Sequence, residues 1–277
     1  MQDKNLAESH DTYDVRARKI LKESWNNVRG VKLKVWLSIV LYAIASTGIL
    51  VAGYAAVSHY MFGYIDLNTF NLAMKNEDYQ ILVEWVRWLA LFPIHTGILL
   101  LAVNKARNLP LKLSQIFLPY RYYFPLLGLG ILLYVVLTIS ALISTIGDVF
   151  QSIDLLVRFL DLVVVLFFAL LMMFASLLVV EKKLPMLRAL KNSFYFFTQH
   201  WIKIIAIVIC FILPYFIVMN ILIFAPRFMT AGVPDYFRHI WLALSTVFIV
   251  ASVWLVPMYL NIIGLLYKIM FDNHHVK

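Results

Sequence analysis

The stretch LVVVLFFALLMMFASLLVV, from Leu162 to Val180, contains no charged residue and is bounded by Asp161 and Glu181. About 20 mostly apolar residues, wound as an α-helix, cover the hydrocarbon core of a bilayer. Lipid supplies no partner for backbone N–H and C=O groups, so such a run must satisfy them internally, as a helix does. Working outward, five further charge-free runs have comparable length: Val35 to Tyr60, Trp88 to Asn104, Tyr122 to Gly147, Ile204 to Pro226 and Ile240 to Tyr267. The second is short, and its helix is expected to begin near Trp85 with Arg87 snorkelling outward. Six such runs in succession predict an all-α, polytopic membrane protein with six transmembrane helices in a single membrane domain, 1–277.

Composition agrees. Hydrophobic residues make up 62% and charged residues 14%, far from the balance of a soluble domain. That excludes a disordered or fibrous chain, and a single cysteine, Cys210, excludes a disulfide scaffold. The first 34 residues carry eight Lys or Arg and no apolar h-region. They are therefore read as a retained segment and not as a cleaved signal peptide.

The net charge of +9 is distributed by side. Lys and Arg divide 19 to 5 between the two faces defined by the runs, whereas acidic residues divide seven to eight. The positive-inside rule then places both termini in the cytoplasm. The bases form no cluster on a soluble domain, so nucleic acid is not expected as a partner.

Leu-Lys-x-Ser occurs three times: Leu21-Lys22-Glu23-Ser24, Leu111-Lys112-Leu113-Ser114 and Leu190-Lys191-Asn192-Ser193. Each copy stands just before an odd-numbered run, on the basic side. The chain thus reads as three parallel repeats, each a cytoplasmic amphipathic helix followed by a transmembrane hairpin. Their bounds are approximately 15–105, 106–182 and 183–268, with flexible tails at 1–14 and 269–277. In the first copy Ala17, Ile20, Leu21, Ser24, Trp25 and Val28 share one face at helical spacing, with Arg16, Arg18, Lys19 and Lys22 elsewhere. A basic amphipathic helix beside a span lies in the membrane interface, its bases on anionic headgroups. Lys22, Lys112, Lys191, Arg18 and Arg188 are the candidate headgroup contacts.

The basic Leu-Lys-x-Ser helices feeding six spans, exemplified by Arg188-Ala189-Leu190-Lys191-Asn192-Ser193-Phe194, resemble a loose group of bacterial inner-membrane families. That group includes the membrane domain of glycerophosphoryl diester phosphodiesterases and related six-span proteins. The resemblance implies a bacterial inner-membrane protein with lipid-linked biology. It implies no catalytic residues here, because in the phosphodiesterases catalysis belongs to a separate soluble barrel.

Ionisable and strongly polar groups inside a membrane are costly and mark function by default. The deepest candidate is His95, and Asn220 and Asn261 are the other costly polar groups. His95 is read as a protonation switch or ligand contact, or as a structural hydrogen bond to Ser46 or Thr47. The two asparagines are read as bridges between helices. Asp154, Arg158 and Asp161 share a helical face and read as a surface ion pair. His274 and His275 lack further ligands for a metal site, and Cys210 lies in apolar surroundings that leave a thiol inert. Gly48, Ala52 and Ala56 form a small-residue stripe that reads as a packing face, as do Gly128 and Gly130. A short amphipathic helix is expected around Leu67 to Met74, and bends are expected at Pro93 and Pro257.

No cofactor or metal is expected, and no catalytic residue stands out. The function expected is that of a non-enzymatic integral membrane protein that binds or organises lipids, or membrane partners including a second copy, through its basic interfacial helices. The alternative is a transporter or channel that passes a small or lipid-like substrate along the helix bundle.

Overall fold

The computed structural model describes residues 17–149, 154–202, 204, 207 and 235–272. The described chain is all-helical. The elements are α1 (Ala17–Phe62), α2 (Leu67–Lys75), α3 (Glu77–Ala106), a 3-10 segment (Leu113–Tyr122), α4 (Tyr123–Val149), α5 (Asp154–Glu181), α6 (186–202) and α7 (Asp235–Phe271). Five helices are long and apolar enough to cross a membrane, which marks the chain as an integral membrane protein. They contain the first, second, third, fourth and sixth runs. The fifth run, from Ile204, lies almost wholly outside the described residues.

The spans fall into two layers. Over half of the most apolar stretch is buried in α3, α5 and α7 (67%, 56% and 53%), against 17% in α1 and 22% in the span formed by the 3-10 segment and α4. Among the described residues, α3, α5 and α7 therefore make the core, and α1 and α4 flank it. On α1 the exposed large apolar residues Leu33, Leu37, Val40, Ile44 and Val51 follow one helical stripe, and on α4 so do Phe124, Ile131, Val135, Ile139 and Leu142. Contiguous apolar stripes of this length are rare on a water-facing surface; in a membrane they are the lipid-facing sides.

Helix packing in lipid depends on close backbone approach, and two glycines provide it. A Cβ at Gly264 of α7 would collide with the Ala102 carbonyl of α3, and one at Gly97 of α3 would collide with the Ile116 backbone of the 3-10 segment. Gly130 of α4 packs against Phe92 and Gly128 against Met186, in keeping with the packing role expected of them. The small-residue stripe on α1 behaves differently. Gly48, Ala52 and Ala56 face outward, and the seam with α3 runs one residue round the helix, through Gly53 against Val83 and the buried Tyr54 and Val57.

α2 forms where a short amphipathic helix is expected. Asp66 caps it reciprocally with Thr69: the Thr69 amide donates to the Asp66 carboxylate at 2.7 Å, and the Asp66 amide donates to the Thr69 hydroxyl at 3.0 Å. This satisfies two N-terminal donors that a helix otherwise leaves open. Ser58 of α1 donates to the same hydroxyl at 2.7 Å, tying α2 to the first span. Asn76 then caps α3, its side chain accepting from the Asp78 and Tyr79 amides. At the other end of α3, Asn108 adopts a left-handed φ of 58°. The Leu109 and Asn108 amides donate back to the Asn104 and Lys105 carbonyls at 2.9 and 3.0 Å, a Schellman exit. Pro93 and Pro257 both lie inside assigned helices.

The Leu-Lys-x-Ser copies take two forms. In α1, Ile20, Ser24 and Val28 are buried, and in α6 the equivalent Ala189, Ser193 and Phe197 are buried. The second copy is a 3-10 segment in which Ser114 is exposed and Ile116 is buried. Pro110 precedes this stretch and Pro119 lies within it, and its 3-10 path lets Ile116 seat its backbone on Gly97. Tyr120 extends the same packing, donating its hydroxyl to the Ala90 carbonyl at 2.8 Å.

Candidate functional site

Leu21, Leu111 and Leu190 all pack on the core, whereas Lys22, Lys112 and Lys191 are all exposed. One position per copy thus anchors the segment, and the next presents a charge. Arg188 is exposed as well. Arg18 belongs to α1, and its side chain lies outside the described residues. The serines hold the two helical copies differently: Ser24 donates to its own helix at Ile20, and Ser193 donates across to the Leu171 carbonyl of α5, 2.8 Å away.

Trp25 departs from its expected place. Periodicity assigns it to the buried face, but it is 52% exposed. It stands instead on a stripe with Lys22, Arg29, Lys32 and Trp36, at alternating spacings of three and four. This stripe meets α7. The Trp25 and Trp254 rings stack with centroids 6.1 Å apart, the Lys32 ammonium lies 4.1 Å from the Trp254 ring centre, and the Trp36 indole donates to the Val253 carbonyl at 3.1 Å.

The intramembrane polar residues are dispersed. His95 stacks on Phe92, one turn before it, at 6.4 Å. Ser46, one of its expected partners, accepts instead from Arg87 at 3.0 Å, and Arg87 also pairs with Glu84. Arg87 is therefore turned toward α1 and does not simply snorkel outward. Asn261 is buried in α7, and its side-chain nitrogen has no partner among the described residues. Asn220 lies outside the described residues, as do Cys210, His274 and His275. Asp161 accepts from Ser140 of α4 at 2.7 Å, which joins α4 to α5; the side chains of Asp154 and Arg158 lie outside the described residues.

The strongest polar constellation is one the sequence reading did not assemble. Arg107, just past the end of α3, pairs with Glu181 at the end of α5 and with Asp272 just past the end of α7. Its Nε donates to Asp272 at 2.7 Å. The three side chains are only 17–22% exposed. Burial alone would pull the guanidinium pKa down, but the hydrogen bonds and charge of Asp272 and Glu181 hold it above its ordinary value. Tyr267 presents its ring to the Arg107 guanidinium, and Lys268 donates to the Ala106 carbonyl at 2.8 Å. One cation therefore ties together the ends of all three core helices. Nearby, Lys34 of α1 donates to the Leu111 carbonyl at 2.6 Å, which fixes the start of the 3-10 segment.

No protein-family model, curated protein or solved structure matches the chain.

Proposed function

We propose that this is a non-enzymatic integral membrane protein that binds or organises anionic lipids, or membrane partners, through basic segments at the membrane interface. Its six spans are proposed to form three parallel repeats, with both termini in the cytoplasm of a bacterial inner membrane. The 19 to 5 split of Lys and Arg supports the orientation. The resemblance to the membrane domains of glycerophosphoryl diester phosphodiesterases supports the setting and the link to lipid.

The observation that carries the reading is the repeated pairing of an anchored leucine with an exposed lysine in all three copies. In the first and third copies the buried positions also recur at the same offsets, four residues either side of the serine. The ends of α3, α5 and α7 are Arg107, Glu181 and Asp272, the same topological point of each proposed repeat. The ion pairs of Arg107 with both acids tie α3, α5 and α7 together at that end, which supports a lipid-organising role over a path between these three helices.

Replacing Lys22, Lys112 and Lys191 together with glutamine tests the proposal. At about 1 kcal/mol per base near an anionic surface, the triple variant should lose a few kcal/mol of preference for anionic lipid at low salt. Native mass spectrometry of the purified proteins reads the retained lipid directly. A triple variant with the wild-type complement of lipid would remove the support for the reading.

A further inference from the structure

α1 and α7 enclose a cleft of about 300 Å³, lined by Trp25, Arg29, Ala251, Trp254 and Leu255. That volume lies near the lower end of the range for ligand pockets, ~300–1,000 Å³. Two opposed tryptophan rings and two aliphatic side chains make most of its wall. The polar contribution is cationic: Arg29 forms part of the wall, and Lys32 lies over the Trp254 ring. Among the described residues, no acidic side chain lines it. Arg29 and Trp25 are exposed, and among the described residues the guanidinium has no ion pair like that of Arg107.

The position of the cleft restricts its occupant. Gly30 sits against Lys105, since a Cβ there would lie 2.8 Å from the lysine nitrogen. The cleft therefore lies at the level where α3 ends and the charged half of α1 begins. Its apolar wall belongs to α7, a helix long and apolar enough to span a membrane. A free anion would gain from the two bases but nothing from the tryptophans, alanine and leucine. A zwitterionic lipid would gain from the apolar wall but bring a second positive charge toward Arg29 and Lys32. A ligand with a net negative headgroup joined to an acyl chain satisfies both parts. Tryptophan also prefers the headgroup level of a bilayer, and the face of Trp254 holds the Lys32 ammonium by cation–π attraction.

We propose that the α1–α7 cleft is a binding site for one anionic phospholipid, with the headgroup phosphate on Arg29 and Lys32 and an acyl chain against Trp254, Ala251 and Leu255. It deepens the lipid-binding reading above and rests on it, but it places the specific contact on the Lys22, Trp25, Arg29, Lys32 stripe and not on the repeated lysines alone.

The test uses the full-length protein in detergent, with phosphatidylglycerol, phosphatidylcholine and inorganic phosphate as probes. Native mass spectrometry counts bound lipid, and quenching of tryptophan fluorescence by bromine-labelled lipid locates it. The wild type should retain one phosphatidylglycerol in preference to phosphatidylcholine, and millimolar inorganic phosphate should not displace it. Arg29→Gln with Lys32→Gln should weaken retention roughly thirtyfold, from two surface bases at about 1 kcal/mol each. Arg29→Lys, which keeps the charge, should lose much less. Trp254→Leu should lose most of the lipid-dependent quenching, since it removes a reporter in the wall itself. Thermal unfolding of each variant checks that the fold is intact, and a destabilised double variant is replaced by Arg29→Gln alone.

Equal retention of phosphatidylcholine, displacement by phosphate, or wild-type retention in the Arg29 and Lys32 variants would overturn the cleft assignment. The variant at Lys22, Lys112 and Lys191 separates the two levels. If it loses anionic lipid and the cleft variants do not, the cleft fails and the broader reading stands. If neither set loses lipid, both fail.

Discussion

Replacing Arg107 with methionine removes the cation that Glu181 and Asp272 share and leaves both carboxylates, at the ends of α5 and α7, without it. The cost follows from the burial of the site. Exposed ion pairs contribute about 0–1 kcal/mol, whereas removing one partner of a buried pair costs about 3–5 kcal/mol because a charge is left uncompensated. With side chains only 17–22% exposed, the site lies near the buried limit. Lys268 is close enough to bond the Ala106 carbonyl and offers partial compensation. A loss of about 3 kcal/mol is therefore expected, at the lower end of the buried range. Arg107→Lys should fall between wild type and Arg107→Met, since an ammonium cannot serve two carboxylates with a planar fork. Adding Glu181→Gln and Asp272→Asn to Arg107→Met should restore most of the stability, because the triple variant buries no unpaired charge. Thermal unfolding in a fixed detergent, followed by tryptophan fluorescence, ranks the four proteins. A single variant as stable as wild type, or a triple variant less stable than the single one, would refute the argument that Arg107 is held by charge compensation.

Gly264→Leu should force α7 away from the Ala102 carbonyl and cost about 1–3 kcal/mol, read as a lowered Tm in the same assay. Gly48→Leu, on the outward face of α1 where a Cβ meets nothing within 4 Å, should leave Tm nearly unchanged, and a large drop would show that this face is covered. Asp66→Ala should destabilise α2 through the lost cap, seen as faster hydrogen exchange in 67–75. The pH dependence of that cap has a definite sign. The Thr69 amide, then its hydroxyl, hold the Asp66 carboxyl below its ordinary value. The folded pKa is thus below the unfolded one, so the cap contributes fully above the ordinary carboxylate range and is lost only as pH falls through the depressed value. Exchange at Thr69 should accordingly stay slow, relative to its intrinsic rate, through neutral and mildly acidic pH. A loss of protection already at neutral pH would contradict the assignment.

Features that depend on local pattern were legible in the sequence, and features that depend on long-range pairing were not. The apolar runs became α1, α3, α4, α5 and α7 because lipid leaves a spanning backbone no alternative to internal hydrogen bonding. The helix at Leu67–Lys75 was legible because Asp66 and Thr69 carry their own start signal. Periodicity misplaced Trp25, because a large apolar ring counts toward the buried face whichever way it points. Its spacing from Lys22, Arg29 and Lys32 was visible, but only Trp254 on a distant helix gives that stripe a partner. The 3-10 segment was hidden for a related reason: the backbone of Ile116 needs the bare α-carbon of Gly97, and no window of sequence contains both.

Arg107, Glu181 and Asp272 show what would have found the remaining site. Taken singly, each is an ordinary charge just past an apolar run, and a count of Lys and Arg per side uses Arg107 only as one base among 19. The charges nearest the ends of α3, α5 and α7 are Lys105, Glu181 and Lys268, with Arg107 and Asp272 close by, so bases and acids stand together at these helix ends. The ion pairs of Arg107 with Glu181 and Asp272 place the ends of these three helices at one level. Opposite charges at one level, on helices that form the core, have little water left to pair with and are expected to pair with each other. The same argument applied to the first spans predicts no such cluster: the residues that precede them, Lys34, Arg121 and Lys203, are all basic and must seek other acceptors. Lys34 does so, donating to the Leu111 carbonyl. Acids thus stand beside the bases where α3, α5 and α7 end, and Arg107 is paired internally there, whereas Arg121, with no acid near it in sequence, is exposed.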